Sequence, residues 1–221
     1  NPMPDAKGVD SKLYDMEYFE SIDGAHYFAK DKTAPKFIYA SNISGLTEGD
    51  NALDIGCGRG DLMMALAQKG AEVTGIDYSE DALEIAQKAI DKQPAELKHK
   101  LKVLHSNATA LNFPDQTFDY VFMTDIVEHL YPSELQKCFE ECKRVLKPEG
   151  KLIIHTAPNR WYNDFGYPFW EQPVNKVLNR LFRQKLLTRP IRTETDFKVH
   201  INEQTVLSLK KYLVKTGFAS T

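Results

Sequence analysis

The chain has 221 residues, 42% hydrophobic and 27% charged, with a formal net charge of −3. That suits one soluble domain with a sizeable core, or a domain with a modest insertion. No apolar run approaches the roughly 18 residues of a membrane span, and the first residues lack the pattern of a secretory signal, so a cytoplasmic protein is expected. The charge is uneven: residues 1–150 hold 16 Lys and Arg against 26 Asp and Glu, whereas residues 151–221 hold 12 against 5, which predicts different partners for the two surfaces.

From Asn51 onward, short strand-like runs alternate with helical patterns. Asn51–Ile55 is an apolar run ending in glycines, Asp61–Lys69 reads as a helix, and Glu72–Asp77 is a second strand. Ser79 can cap a helix reaching Ile90, with Glu80 and Asp81 in the first turn, where the helix dipole favours negative charge. Leu101–Ser106 and Phe118–Asp125 are the third and fourth strands. Between Pro132 and Leu146, apolar Leu135, Cys138, Phe139, Cys142 and Val145 recur at helical spacing behind a first-turn proline. A turn at Pro148–Gly150 leads to a fifth strand, Lys151–Thr156. After a break of about forty residues, Glu203–Thr216 reads as a last helix, capped by Asn202 and ended by Gly217. Such alternation predicts a Rossmann-like α/β fold: a doubly wound, mostly parallel sheet with helices on both faces, and an α-rich insertion near the C-terminus. The expected divisions are an N-terminal segment (1–48), a core (49–157), an insertion (158–200) and a terminal segment (201–221) holding the last core helix and the start of a strand.

Three cysteines, Cys57, Cys138 and Cys142, make an odd count without zinc-type spacing. The latter two, four apart on a helix, read as small core residues.

Ligands of such sheets bind at the carboxyl ends of the strands. There the sequence Asp54-Ile55-Gly56-Cys57-Gly58-Arg59-Gly60 makes a glycine-rich strand-to-helix turn. Its GxGxG spacing differs from the GxGxxG of dinucleotide sites. A carboxylate just before it would repel pyrophosphate, but it is compatible with a ligand carrying a sulfonium and an ammonium group. Asp77, ending the second strand, is placed to accept hydrogen bonds from ribose hydroxyls, and Tyr78 could lie along the adenine or ribose edge.

DIGCGRG, then GIDYS, SNATAL, FDYVFMTDIVEHL and RVLKPEGKLIIHTAPN together resemble, in order and spacing, the class I S-adenosylmethionine-dependent methyltransferases over residues 50–159. The resemblance implies S-adenosylmethionine as cofactor. It implies that Asp54, Gly56, Cys57 and Gly58 line the methionine part, that Asp77 and Tyr78 meet the ribose side, that Asn107 and Ala108 contact adenine, and that Thr124 and Asp125 close the pocket beneath the methyl donor. The N-terminal segment, with Tyr14, Tyr18 and Phe19, resembles the lid of small-molecule members.

Methyl transfer to oxygen usually needs a base. His129, following the fourth strand, is the leading candidate, with His200 in second line; His155 could also reach the acceptor. The stretch Asp125-Ile126-Val127-Glu128-His129 resembles the acidic-x-x-Glu-His stretch of ubiquinone-type O-methyltransferases, which implies a Mg²⁺ site at Asp125, Glu128 and His129. A metal-free base and a structural role for these residues are the competing readings.

The insertion contains Trp161, Tyr162, Phe165, Tyr167, Phe169 and Trp170, either an acceptor wall or a satellite core. Val174, Val177, Leu178, Leu181 and Phe182 then define an apolar helix face, while Lys176, Arg180, Arg183, Lys185, Arg189 and Arg192 supply positive charge with no acid between Val174 and Arg192. This pattern fits peripheral contact with an anionic membrane surface through 174–192, or an anionic or lipid-linked small-molecule acceptor; packing of the apolar face on the domain is the alternative. The positive patch is short and no nucleic-acid motif accompanies it, which argues against nucleic acid. Two other functions stay open: a cofactor-binding protein without catalysis, and an NAD(P)-dependent oxidoreductase.

Overall fold

The computed structural model describes residues 13, 18, 33–156, 160–183, 185–188 and 199–219. A helix α1 (Pro35–Ser44) leads into β1 (Asn51–Ile55), α2 (Asp61–Ala67), β2 (Glu72–Asp77), α3 (Glu80–Asp91), a short α4 (Ala95–Lys98), β3 (Leu101–His105) and β4 (Phe118–Thr124). A single 3₁₀ turn (Val127–His129) precedes α5 (Pro132–Val145) and β5 (Leu146–His155). The sheet order is β3-β2-β1-β4-β5, and every pair is parallel. This is the expected doubly wound sheet with its first strand at the centre.

Parallel strands covered on both faces are buried throughout, and β1 shows it: Ala52–Ile55 are all buried. Alternation along the strands feeds two cores. Leu53, Ile55, Ile76, Val121 and Met123 meet Leu135, Phe139 and Cys142 of α5. Ala52, Val73 and Phe122 face the other way, against Leu62, Met63 and Leu66 of α2. Phe122 and Phe139 are wholly buried, each worth about 2–3 kcal/mol relative to exposure. Cys138 and Cys142 sit in the first core with both sulfurs against the Met123 sulfur at 3.9 Å, and Cys57 is buried in the second. Packing there is tight: a Cβ on Gly75 would stand 2.3 Å from the Met63 sulfur.

The helix starts have local causes. Ser79 caps α3 by accepting from the Ala82 amide at 3.2 Å, and at α5 the Glu134 side chain reaches back to the Tyr131 amide at 2.9 Å, ahead of Pro132. Several expected boundaries move. β4 stops at Thr124, because Asp125 adopts a left-handed backbone at φ 56°. β5 begins earlier, at Leu146; Phe118 pairs with Leu146 and Tyr120 with Lys151, so the anticipated turn becomes a bulge within the strand. The last helix, α7 (Val206–Lys215), starts later than expected, since Thr205 and Ser208 form the cap that Asn202 was expected to provide.

The insertion is helical, in part with different bounds. A π-type helix (Tyr162–Glu171) runs directly into α6 (Gln172–Phe182). The helix expected beyond Val174 ends at Phe182, with Arg183 left-handed. The chain then doubles back, and amides of Gln172, Asn175 and Asn179 donate to the carbonyls of Thr188, Leu187 and Leu186 at 2.8–2.9 Å. Arg189 and Arg192 lie outside the described residues, as do Tyr14 and Phe19 of the expected lid. Tyr18 packs with Tyr78 against Ala82, Ile85 and Val199.

Candidate active site

The carboxyl ends of β1, β2 and β4 converge on the glycine loop. Gly56, Gly58 and Gly60 have φ of 70°, 50° and 82°, values that side chains with a Cβ rarely adopt. The amides of Gly56 and Cys57 donate to the Ile76 carbonyl at 2.8 and 2.9 Å, stitching the loop to β2. The Cys57 side chain faces inward, against the place where Gly75 has no Cβ; burial pushes its thiol well up. Its contribution to a ligand would therefore come from the backbone.

Three carboxylates crowd this loop. Asp54 is 1% exposed, and its Oδ1 has no hydrogen-bond partner. Burial, then the charges of Asp77 and Asp61, push its carboxyl well above the usual range. Asp77 is also raised, first by burial, against the opposing pull of backbone amides; its two oxygens accept from Gly58 at 3.0 Å and Ser79 at 2.9 Å. A carboxylate offers about four acceptor positions, so Asp77 keeps capacity for hydroxyl donors. Asp61 pairs with the buried Arg59 at 3.1 Å, a partnership sequence reasoning missed although the arginine stands inside the motif.

Asn107 is exposed, and its Oδ1 accepts from the Thr109 amide and hydroxyl at 2.8 and 2.9 Å, an Asx turn at the end of β3. Ala108 is half-buried against the first core. Thr124 is buried at the end of β4. Ile126 covers the loop: a Cβ on Gly56 would meet its Cδ1 at 2.8 Å.

Asp125 is engaged differently from the expected Mg²⁺ site. One carboxylate oxygen accepts from His155 Nδ1 at 2.7 Å and the other from Lys36 of α1. Burial pushes its carboxyl up, but His155 and Lys36 outweigh burial and hold it below the usual range. With a donor on each oxygen, Asp125 does not join Glu128 and His129. Among the described residues, the potential ligand atoms that do converge belong to Glu128, His129 and His200, within 4.8 Å of one another. Glu128 is buried and accepts from Thr156 at 2.9 Å. His129 Nδ1 lies 3.0 Å from the Val199 carbonyl, and its ring meets that of His200 edge to face at 5.0 Å. The two candidate histidines of the sequence are therefore brought together.

Residues 53–154 match the methyltransferase domain family. That match runs from β1 to β5 and takes in a little under half of the chain. It is 36% identical over 141 residues to a demethylmenaquinone methyltransferase of Listeria welshimeri, covering 62% of this chain and 53% of that protein. It is 32% identical over 123 residues to a ubiquinone biosynthesis O-methyltransferase of Coxiella burnetii, covering 54% and 48%. The chain thus spans about half the length of the curated relatives it matches. Among solved structures, a putative methyltransferase of Bacillus halodurans has the same fold, with TM-score 0.61 and 22% identity over 83% of this chain and 69% of that one. A second, the 4+2 cyclase SpnF, has TM-score 0.50 and 26% identity, covering 58% and 48%.

The domain family implies S-adenosylmethionine, and the cradle fits it. A buried carboxylate oxygen without a partner, among further acids and beside glycines that leave the backbone open, favours a ligand with positive charge and disfavours phosphate.

Proposed function

We propose that this protein is an S-adenosylmethionine-dependent methyltransferase that methylates an oxygen of a small phenolic or quinone-precursor acceptor. The observation that carries the reading is Asp54: the fold holds a carboxylate in a buried site where its charge is costly, and a cationic ligand offsets that cost. Asp54 and the loop amides would hold the methionine end, and Asp77 the ribose. Bound there, the cofactor supplies an electrophilic methyl group. The protein's part is to orient the acceptor beneath Ile126 and the end of β4, and to exclude water. His129 and His200 form an imidazole wall at the acceptor side. The name of the ubiquinone biosynthesis O-methyltransferase relative supports a hydroxyl as acceptor, and the demethylmenaquinone methyltransferase name supports a quinone-related one. Mg²⁺ has no part in this reading, because both oxygens of Asp125 already accept, one from Lys36 and one from His155.

The insertion supports delivery from an anionic membrane surface. Phe169 and Trp170 are 75% and 77% exposed, and Val174, Val177, Leu181 and Phe182 are also exposed, next to Lys176, Arg180, Arg183 and Lys185. Packing of this face on the domain is thereby disfavoured among the described residues. Exposed aromatics with flanking cations suit an interfacial helix, and a lipid-linked acceptor would be met there.

Calorimetry with S-adenosylhomocysteine and with NAD(P) tests the cofactor reading: heat with the first alone is expected, and uptake of the dinucleotide instead would reverse it. SpnF shows that chains of this fold are also named for other chemistry, so binding without transfer to any phenolic probe would favour a non-transferring role.

A further inference from the structure

Resting on the methyltransferase reading, one pair of residues deepens it. We propose that His155, held by Asp125, is the base that takes the proton of the acceptor hydroxyl. The pair is built into the sheet. Thr124 and His155 stand opposite each other in the parallel register of β4 and β5, and the Asp125 amide donates to the His155 carbonyl at 2.9 Å. The left-handed backbone of Asp125, a strain of order 1 kcal/mol, turns its carboxylate toward the ring of His155. The imidazole then donates from Nδ1, and Nε2 presents its lone pair. That ring is 37% exposed, and Nε2 makes no hydrogen bond among the described residues. The next residue, Ile126, touches the glycine loop at Gly56, so the pair stands beside the cofactor cradle.

His129 Nδ1 lies against the carbonyl of Val199; a carboxylate on Nδ1, as at His155, raises the basicity of the ring. His155 is hydrogen-bonded to an acid, and that bond pushes its titration above the usual imidazole range despite burial. The charged groups facing it are Asp125 from the end of β4, Lys36 from α1 and Glu128 from the 3₁₀ turn; Lys36 opposes the rise and Glu128 adds to it. In the step, the acceptor O–H bond breaks and its proton goes to Nε2, while an oxygen electron pair forms the bond to the methyl carbon as the carbon–sulfur bond returns its pair to sulfur. His155 is then a catalytic residue, and Asp125 and Lys36 are positioning residues.

The test uses the full chain with S-adenosylmethionine and two probes, a prenylated catechol and a prenylated naphthohydroquinone. H155Q should lower kcat by about 100-fold and leave S-adenosylhomocysteine affinity unchanged. The rising limb of the pH–rate profile should move to lower pH in D125N and to higher pH in K36Q, opposite shifts that a merely structural role does not produce. Imidazole ¹⁵N NMR reads the same groups without turnover: neutral His155 should carry its proton on Nδ1 and titrate above free histidine, with D125N bringing the midpoint down. A rate preserved in H155Q, a proton on Nε2, or a midpoint at or below that of free histidine overturns the proposal. Should H155Q not fold, D125N and K36Q decide it through their opposite shifts. If the homocysteine product does not bind, or neither probe is methylated, the cofactor or acceptor reading fails instead, and the NMR midpoint and tautomer still judge the pair.

Discussion

The glycine-loop region and the helical insertion carry opposite kinds of unfavourable surface. Around the loop, three carboxylates are withdrawn from water, with Arg59 opposite only one of them. On the insertion, Phe165, Phe169, Trp170, Leu181 and Phe182 remain in contact with water. A buried unpaired charge and an exposed apolar patch each cost stability, and each is relieved by something outside the chain: a cation in the first case, a lipid or apolar partner in the second. The loop is packed closely on β2, where a Cβ on Gly75 would stand 2.3 Å from the Met63 sulfur and 2.9 Å from the Cys57 side chain.

The largest effect that can break this contrast lies at Asp54. Asp54→Asn should weaken S-adenosylhomocysteine binding about 100-fold, the scale of a charged hydrogen bond lost, while the unliganded protein melts at the same or a higher temperature. Calorimetry and thermal melts check both halves; lost affinity together with a lower melting temperature would mean that Asp54 is a structural residue. Gly75→Ala comes next. Its Cβ would collide with the Met63 and Cys57 sulfurs, so denaturant unfolding should show a loss of about 3 kcal/mol.

A smaller effect follows from pH. The Asp54 carboxyl is raised in the fold, so between its unfolded and folded values the folded state binds the extra proton. The unliganded protein therefore loses stability as pH rises through that window. A bound cation favours the carboxylate, so affinity should climb with pH over the same window and then level off, and Asp54→Asn should flatten the curve. The smallest effect on folding should come from the insertion: Leu181→Glu is expected to change stability by less than about 0.5 kcal/mol, yet to reduce sedimentation with anionic vesicles. Wild-type protein that ignores such vesicles at low salt would remove the membrane half of the comparison.

What could be read in advance followed the same division. The strand, glycine loop and helix around Asp54 were legible, because a buried parallel strand and left-handed glycines have no common alternative. Metal ligation by Asp125 is what the family resemblance of the stretch Asp125–His129 implies, from near neighbours in sequence. The residues that take its oxygens, Lys36 and His155, lie 89 and 30 positions away, and only strand register and the docking of α1 bring them in. Asn202 and Thr205 are both good caps for α7; Ser208, answering Thr205 across the first turn, decides between them. The end of α6 had no glycine or proline to announce it. It depends on three amide side chains gripping the returning backbone, a tertiary arrangement that composition does not reveal.

The burial of all three thiols gives the molecule a built-in clock. A thiol reagent can reach Cys138 and Cys142 only when α5 lifts from the sheet, which for a core helix amounts to global opening. Cys57, beneath the glycine loop, needs only the loop to part from Gly75. Modification rates at these positions would time two separate breathing motions in one experiment, and a ligand seated on the loop should slow the Cys57 rate first.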